Sequence, residues 1–298
     1  MKFPVVEVLE ESADLYEALG TKAKFWFDQD AFLFKEGRPG TGENWAEVVV
    51  ANIAKELGIP HASYDLALCG ERRGVRTLNF VPEGARLVHG NEIITGVSSG
   101  ERMAVQDRRR LHTVRRIAAA FHRIRLGLPL GWVPPSPTMT PLGVMCSYLM
   151  LDALIGNQDR HEENWAMIAI PGSTMEMRLA CTFDHASSLG RNETEFTCRK
   201  RLGSQNLNGD MMAYCSRARS QIYGQSGGRL TTVEAFSEMS KVCGPDALIW
   251  TERLHRVDRA FFEGVLAGVP DDWISEISRE FAVEMLMINK VRTIESIQ

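Results

Sequence analysis

The reading of this chain turns on Gly156-Asn157-Gln158-Asp159-Arg160-His161-Glu162-Glu163-Asn164, followed twenty residues after Asn164 by Phe183-Asp184-His185. Two short apolar runs lie between, Trp165 to Ile170 and Met177 to Phe183, with Pro171-Gly172-Ser173-Thr174 as the turn that joins them. Such runs predict an antiparallel hairpin. If it is centred on Thr174, Asn164 and Asp184 stand opposite one another at its open end, and Asp159 sits in the loop leading into the first strand. Three oxygen-bearing side chains then converge on one spot. Two carboxylates and an amide are hard donors that suit Mg²⁺ better than Zn²⁺, and Mg²⁺ characteristically completes its shell with substrate phosphates.

Outward from this segment, helical periodicity dominates the C-terminal part, at Val114 to Leu126, Met145 to Ile155, Thr232 to Val242, Ala247 to Leu254 and Trp273 to Lys290. The N-terminal part reads differently. Lys24 to Phe27 and Ala31 to Lys35 predict two aromatic-rich strands joined through Asp28-Gln29-Asp30. Apolar residues at 45, 48, 49, 53 and 57 predict a helix over Glu43 to Leu57, closed by Gly58. Strands are expected near Ser63 to Leu68 and Val75 to Val81, and Pro82-Glu83-Gly84 breaks the pattern. The expectation is an α+β chain of two lobes, a sheet-rich one over 1–85 and a helical one over 86–298, acting as one catalytic unit.

Composition narrows the function classes. With 298 residues, 44% hydrophobic and 24% charged, collagen-like, coiled-coil and wholly disordered readings are out. The formal charge is 34 − 38 = −4, so no whole-protein field draws nucleic acid or anionic membrane. Eight arginines between 101 and 125, and Arg199-Lys200-Arg201, are local basic clusters without aromatic interleaving, so direct nucleic-acid binding is not expected. Six isolated cysteines with no C-x-x-C pair predict reduced thiols and a cytoplasmic setting. The charged first residues rule against a signal peptide, and Leu142 to Gly156, interrupted by Ser147 and Asp152, is too short to span a membrane.

A catalytic Asp five residues before a metal-binding Asn, with a second metal-binding Asp farther on, is the spacing of the protein-kinase catalytic loop. The order Asp159-Arg160-His161-x-x-Asn164 resembles the phosphoinositide-kinase-like branch, and Leu154 to Asn164 with Phe183-Asp184-His185-Ala186-Ser187-Ser188 resembles the HipA-type serine/threonine kinases. That resemblance implies a bilobal kinase-like fold that uses ATP and Mg²⁺. Asp159 would accept the acceptor hydroxyl's proton, Asn164 and Asp184 would hold the metal, and Lys35 would anchor phosphate with Glu47 positioning it. Glu43, one turn earlier, competes for that last role. Gly20-Thr21-Lys22 would match the phosphate-covering loop, with Thr21 an autophosphorylation site. Asn79, Phe80 and Val81 would meet adenine at the hinge, His161 would contact nucleotide, and Arg160 would brace the loop.

The resemblance further implies a bacterial toxin-type kinase that modifies Ser or Thr of a protein, itself included. A translation component such as an aminoacyl-tRNA synthetase is the substrate the family suggests, and an antitoxin is the implied partner. Three departures stand out: no G-x-G-x-x-G is present, His185 replaces the glycine that follows the metal-binding Asp in common protein kinases, and no counterpart of the N-terminal extension of full-length HipA toxins precedes the first lobe, which argues against antitoxin binding by that route. Three alternatives remain open to the residues. The Asp-Arg-His order is shared with lipid kinases, so a lipid or small-molecule acceptor is one. A metal-dependent phosphoesterase built on Asp159, His161, Asp184 and His185 is another. The third is a module that holds nucleotide without transferring phosphate.

Overall fold

The computed structural model describes residues 2–9, 13–16, 24–97, 109–206 and 209–297. In chain order the elements are β1 (Val5–Glu7), β2 (Ala13–Tyr16), β3 (Lys24–Phe27), β4 (Phe32–Glu36), α1 (Glu43–Leu57), β5 (Tyr64–Cys69), β6 (Arg72–Leu78), β7 (Arg86–His89), α2 (Gly90–Val97), α3 (Val114–Ile124), α4 (Pro141–Ile155), β8 (Ala166–Ile170) and β9 (Glu176–Leu179). There follow α5 (Glu195–Leu202), α6 (Met211–Ser216), β10 (Arg219–Tyr223), β11 (Arg229–Thr231), α7 (Thr232–Cys243), α8 (Asp246–Arg256), α9 (Arg259–Ala267) and α10 (Glu276–Glu295).

The strands up to Leu78 form one six-stranded sheet in the order β1-β5-β6-β4-β3-β2. The β3–β4 hairpin turns through Asp28, Gln29 and Asp30, all left-handed at φ 56°, 56° and 60°. Aspartate tolerates that region better than bulkier residues, which makes the sequence Asp-Gln-Asp a workable turn without glycine. The alternation of the strands buries Phe25, Phe27 and Phe34 together on one face. Helix α1 crosses the sheet and is buried almost all round, because α8 and α9 cover its other side. It ends where Gly58 turns left-handed at φ 69° and its N–H returns to the last carbonyls.

From residue 86 the chain belongs to a second sheet, β7-β8-β9, and to the helices around it. Helix α4 is the axis of this half. Every residue from Leu142 to Ile155 is buried, and a buried Leu or Met side chain contributes about 2 kcal/mol of transfer energy each. Thr140 caps its first turn, with Pro141 at a position needing no N–H. Asn289 of α10 donates to Leu154 O at 3.1 Å and locks the far end.

Two expectations need correction in detail. The hairpin is closed by Ile170 opposite Glu176, so its loop is five residues long and centred on residue 173 rather than on Thr174. Extending that register places Thr182, not Asp184, across from Asn164. The cause lies in Glu176, a charged residue that the apolar pattern leaves out of a strand starting at Met177 but that opens β9 opposite Ile170. The second strand also ends at Leu179. Beyond it the chain turns away to meet the segment after α1, where Thr182 N donates to Pro60 O at 2.9 Å and Ala62 N to Thr182 O at 2.9 Å. Likewise β6 ends at Leu78, so residues 79–81 lie beyond the sheet as the link to the second half. Among the described residues no helix is long and apolar enough to cross a membrane.

Candidate active site

The site is assembled from five pieces of chain. Helix α4 ends at Gly156, φ 62°, and releases a loop whose shape is imposed by one buried carboxylate. Asp152, in the last turn of α4, accepts from Arg160 Nε at 2.8 Å, Arg160 Nη2 at 2.9 Å and Asn157 Nδ2 at 2.8 Å. Arg160 is wholly buried, and its remaining donors reach Thr182 Oγ1 at 2.9 Å, Phe183 O at 3.3 Å and Asn164 O. One guanidinium thus ties the loop to the end of α4, to the entry of β8 and to the segment before Asp184. Burial alone would lower its pKa, but Asp152 outweighs that and raises it. Arg160 is expected to brace the loop, and this network is what bracing consists of.

Within that frame Asp159 and Asn164 are fixed from their backbones. Asp159 N donates to Asn157 Oδ1 at 3.0 Å, and Asn164 Nδ2 donates to Asp159 O at 2.6 Å. The second bond consumes the amide's N–H side and leaves Asn164 Oδ1 as an acceptor. The Asp159 carboxylate takes a hydrogen bond from Ser187 Oγ at 3.3 Å and is otherwise partly open to solvent.

Facing this loop is a triad drawn from both halves of the chain. Lys35 Nζ on β4 lies 2.5 Å from Asp184 Oδ1 and 3.6 Å from Glu47 Oε1 on α1. Burial acts to lower the Lys35 pKa, but the two carboxylates prevail and hold it above the ordinary lysine value, so it is a cation at any physiological pH. Glu47 Oε2 accepts from His185 N at 2.7 Å, while Glu47 Oε1 is buried without a hydrogen bond. Asp184 itself is left-handed at φ 58°. Its N–H donates to Tyr64 Oη at 3.2 Å, and burial followed by the charges of Glu47 and Asp184 keeps that phenol neutral. The competitor Glu43 faces elsewhere, pairing with Arg38 at 2.8 Å and with Arg191.

The other expected contacts are placed as follows. Phe80 stacks on Phe183 with centroids 5.6 Å apart, and with Val81, Leu87 and Ile168 these rings form a partly exposed apolar platform beside the linker. Asn79 uses its side chain locally, donating to Asp30 O at 3.1 Å and accepting from Val81 N at 3.0 Å. His161 Nδ1 accepts from Glu163 N at 3.1 Å. Gly20, Thr21 and Lys22 lie outside the described residues, as does Arg102 to Arg108 of the basic stretch. The remaining arginines there, 109, 110, 115, 116, 123 and 125, are exposed.

Sequence reasoning missed Asp152, Tyr64, Thr182 and Ser187. Asp152 carried a signal: a lone carboxylate in a helix apolar on all sides must be paired.

The donor set suits a hard divalent ion with a phosphate ligand. Asn164 Oδ1 and Asp184 supply one neutral and one charged oxygen, and among the described residues no cluster of three His, Cys, Asp or Glu could cage a metal without substrate oxygens. His185 is a poor ligand, being buried with Nε2 bonded to Thr182 Oγ1 at 2.8 Å and Nδ1 facing Glu47.

No protein-family model and no curated protein matches the sequence. Solved structures do match. The proinflammatory kinase CtkA of Helicobacter pylori superposes with a TM-score of 0.72 at 18% identity, over 99% of this chain and 97% of that one. HipA of Shewanella oneidensis MR-1, solved with HipB and operator DNA, gives 0.52 at 12% identity, over 94% of this chain and 66% of that one. The shared architecture, sheet-rich in its N-terminal part and helical in its C-terminal part, shows that this chain has the fold of the HipA-type kinases.

Proposed function

We propose that the protein is an ATP- and Mg²⁺-dependent serine/threonine protein kinase of HipA type, with residues 1–85 and 86–298 as the two lobes of one catalytic unit. The observation that carries this reading is the placement of Lys35 Nζ between Glu47 and Asp184, the latter on a segment whose Ser187 donates to Asp159 and whose Phe183 carbonyl accepts from Arg160. Phosphoryl transfer needs little covalent chemistry from the protein and much positioning, and every group here is positioned by a second one.

Bound Mg²⁺ would neutralise phosphate charge, with Asn164 Oδ1 and Asp184 as its protein oxygens. Lys35 would bind the nucleotide's phosphates, and Glu47 and Asp184 hold its ammonium charged for that task. The platform of Phe80, Val81 and Phe183 would seat the adenine. Asp159, steadied by Asn157, Asn164 and Ser187, would orient an acceptor hydroxyl and take its proton at the carboxylate. Thr21 as a self-modification site, His161 and the Gly20-Thr21-Lys22 segment as nucleotide contacts, and an antitoxin as partner belong to the same reading. HipA of S. oneidensis was solved in complex with HipB, which supports a partner of that kind.

The phosphoesterase alternative is disfavoured by His185, whose ring is enclosed by Thr182 and Glu47. The test is phosphoproteomic mass spectrometry after expression of wild type, Asp159→Asn and Asp184→Asn. New phosphoserine or phosphothreonine sites appear with wild type alone. The same sites with Asp159→Asn would remove Asp159 from the chemistry, and label entering only lipid or metabolite pools would move the acceptor to the small-molecule class.

A further inference from the structure

The hairpin β10–β11 is docked on the catalytic loop at the residue before Asp159. Arg219 N donates to Gln158 Oε1 at 3.4 Å, and Gln221 Nε2 donates to Gln158 O at 3.1 Å. Alternation along β10 decides what the hairpin presents there. Ser220 and Ile222 are buried, so Arg219, Gln221 and Tyr223 share the opposite face, and it is this face that reaches Gln158. Arg229 of β11 joins them, standing opposite Tyr223 and donating to Gln221 Oε1 at 3.3 Å.

The positive charge of this face is not neutralised within the protein. Arg219 Nη1 lies 3.9 Å from Glu234 Oε2, with both side chains more than half exposed, and an exposed pair at that separation is worth little. The same oxygen already accepts from Thr231 N at 2.6 Å in the capping box of α7. Among the described residues Arg229 pairs with no carboxylate. The neighbouring turn has the same sign. Tyr223 N donates to His112 O at 2.9 Å, and the chain entering His112 carries Arg109 and Arg110, both exposed, with no acidic residue from there to Arg125. The carboxylates of the catalytic loop are turned the other way. Glu162 and Glu163 line a depression with Asn91 and Glu92 of α2, and Glu163 Oε1 accepts from Asn91 Nδ2 at 3.1 Å.

Position names the occupant. In the reading proposed above, on which this inference rests, the acceptor serine or threonine brings its hydroxyl to the Asp159 carboxylate, so the polypeptide flanking it crosses the adjoining surface. Extended chain rises about 3.3 Å per residue, which carries side chains roughly two to four places from the acceptor over this hairpin. Charge alone would also attract nucleic acid, but contact with the residue before Asp159 favours the acceptor polypeptide.

We propose that Arg219 and Arg229 select the substrate, taking proteins in which glutamate or aspartate flanks the acceptor serine or threonine. An arginine fork matches a carboxylate in geometry as well as in charge.

The test is fluorescence anisotropy of the full chain, without nucleotide, against three labelled serine peptides that differ only in having glutamate, glutamine or lysine at the flanking positions. The glutamate peptide is expected to bind about tenfold more tightly than the glutamine one at low salt, and to lose that margin as salt rises. Arg219→Gln/Arg229→Gln should erase the margin, and Arg219→Glu/Arg229→Glu should invert it in favour of the lysine peptide. Arg115→Glu/Arg123→Glu, on the exposed face of α3, should leave the order unchanged. Equal affinities for the three peptides overturn the proposal. So does an inversion produced equally by the α3 pair, since overall charge and not this hairpin is then selecting. A single-stranded oligonucleotide of matched charge that binds wild type more tightly than the glutamate peptide, and Arg219→Gln/Arg229→Gln not at all, also overturns it and assigns the face to nucleic acid. Because binding is read without nucleotide, absence of phosphoryl transfer and absence of this selectivity are separate results; a kinase that phosphorylates all three peptides with the same KM sinks this proposal alone.

Discussion

Replacing Arg160 with methionine isolates what the buried guanidinium does. The side chain is fully enclosed, and methionine fills much of its volume while deleting five donors. Asp152, 4% exposed, would keep only the Asn157 amide as a partner. Breaking one half of a buried pair costs about 3–5 kcal/mol, because the surviving charge stays desolvated. For a chain of this length the unfolding entropy converts that into a melting-temperature drop of roughly 5–8 °C. The double variant Asp152→Leu/Arg160→Met removes both charges and should recover at least about 2 kcal/mol of the summed single losses. Arg160→Lys should fall between, since an ammonium cannot span both Asp152 oxygens while reaching Thr182 and two carbonyls. The assay is urea unfolding followed by circular dichroism for the four proteins of the cycle. A loss below about 1 kcal/mol in Arg160→Met, or strictly additive single losses, would refute the argument that this pair is a charge-compensated unit.

Asp159→Asn should lower phosphoryl transfer by about 10²–10⁴-fold with nucleotide affinity nearly unchanged, read by radiolabel incorporation alongside a nucleotide titration. His112 is buried, accepts from Trp165 Nε1 at 3.0 Å, and is pushed down to about 4, chiefly by burial. The unfolded chain therefore binds a proton between about pH 6.5 and 4 that the native ring refuses, and stability falls by up to about 3 kcal/mol as pH drops through that window. His112→Gln should flatten this part of the urea-midpoint profile, and equal slopes in both proteins would exclude His112 as its source. Gly156→Ala places a methyl at φ 62° against the Met285 terminus, and a loss of about 1–2 kcal/mol in thermal unfolding is expected.

What could be read from the residues depended on range. Helix α1 was legible throughout, because its apolar period and Gly58 are local signals. The hairpin after Asn164 was legible as a hairpin, but its register depended on where the second strand begins, and Glu176, charged and exposed, carries no apolar signal that it opens that strand. The pairing of β7 with β8 joins residues some eighty positions apart and leaves no periodic trace. At the site, spacing singled out Asp159, Asn164 and Asp184, whereas Tyr64 and Thr182 serve through a phenol and a hydroxyl, groups common enough in strands to carry no signal. Asp152 was visible as an interruption of an apolar run, and its meaning needed the partner eight residues away.

The segment before β2 has a mechanical consequence. Val5 to Glu7 run parallel to β5 inside the first sheet, while Phe3 N bonds Gly268 O at 2.6 Å and Lys2 Nζ bonds Val269 O at 2.9 Å in the helical half. This strap joins the two halves in addition to residues 79–85 and to the packing of α1 against α8 and α9. Without it β5 would become an open edge of the first sheet, and Lys2 and Phe3 would lose their hold on the helical half, so the same few residues close a sheet edge and seat that sheet on its neighbour.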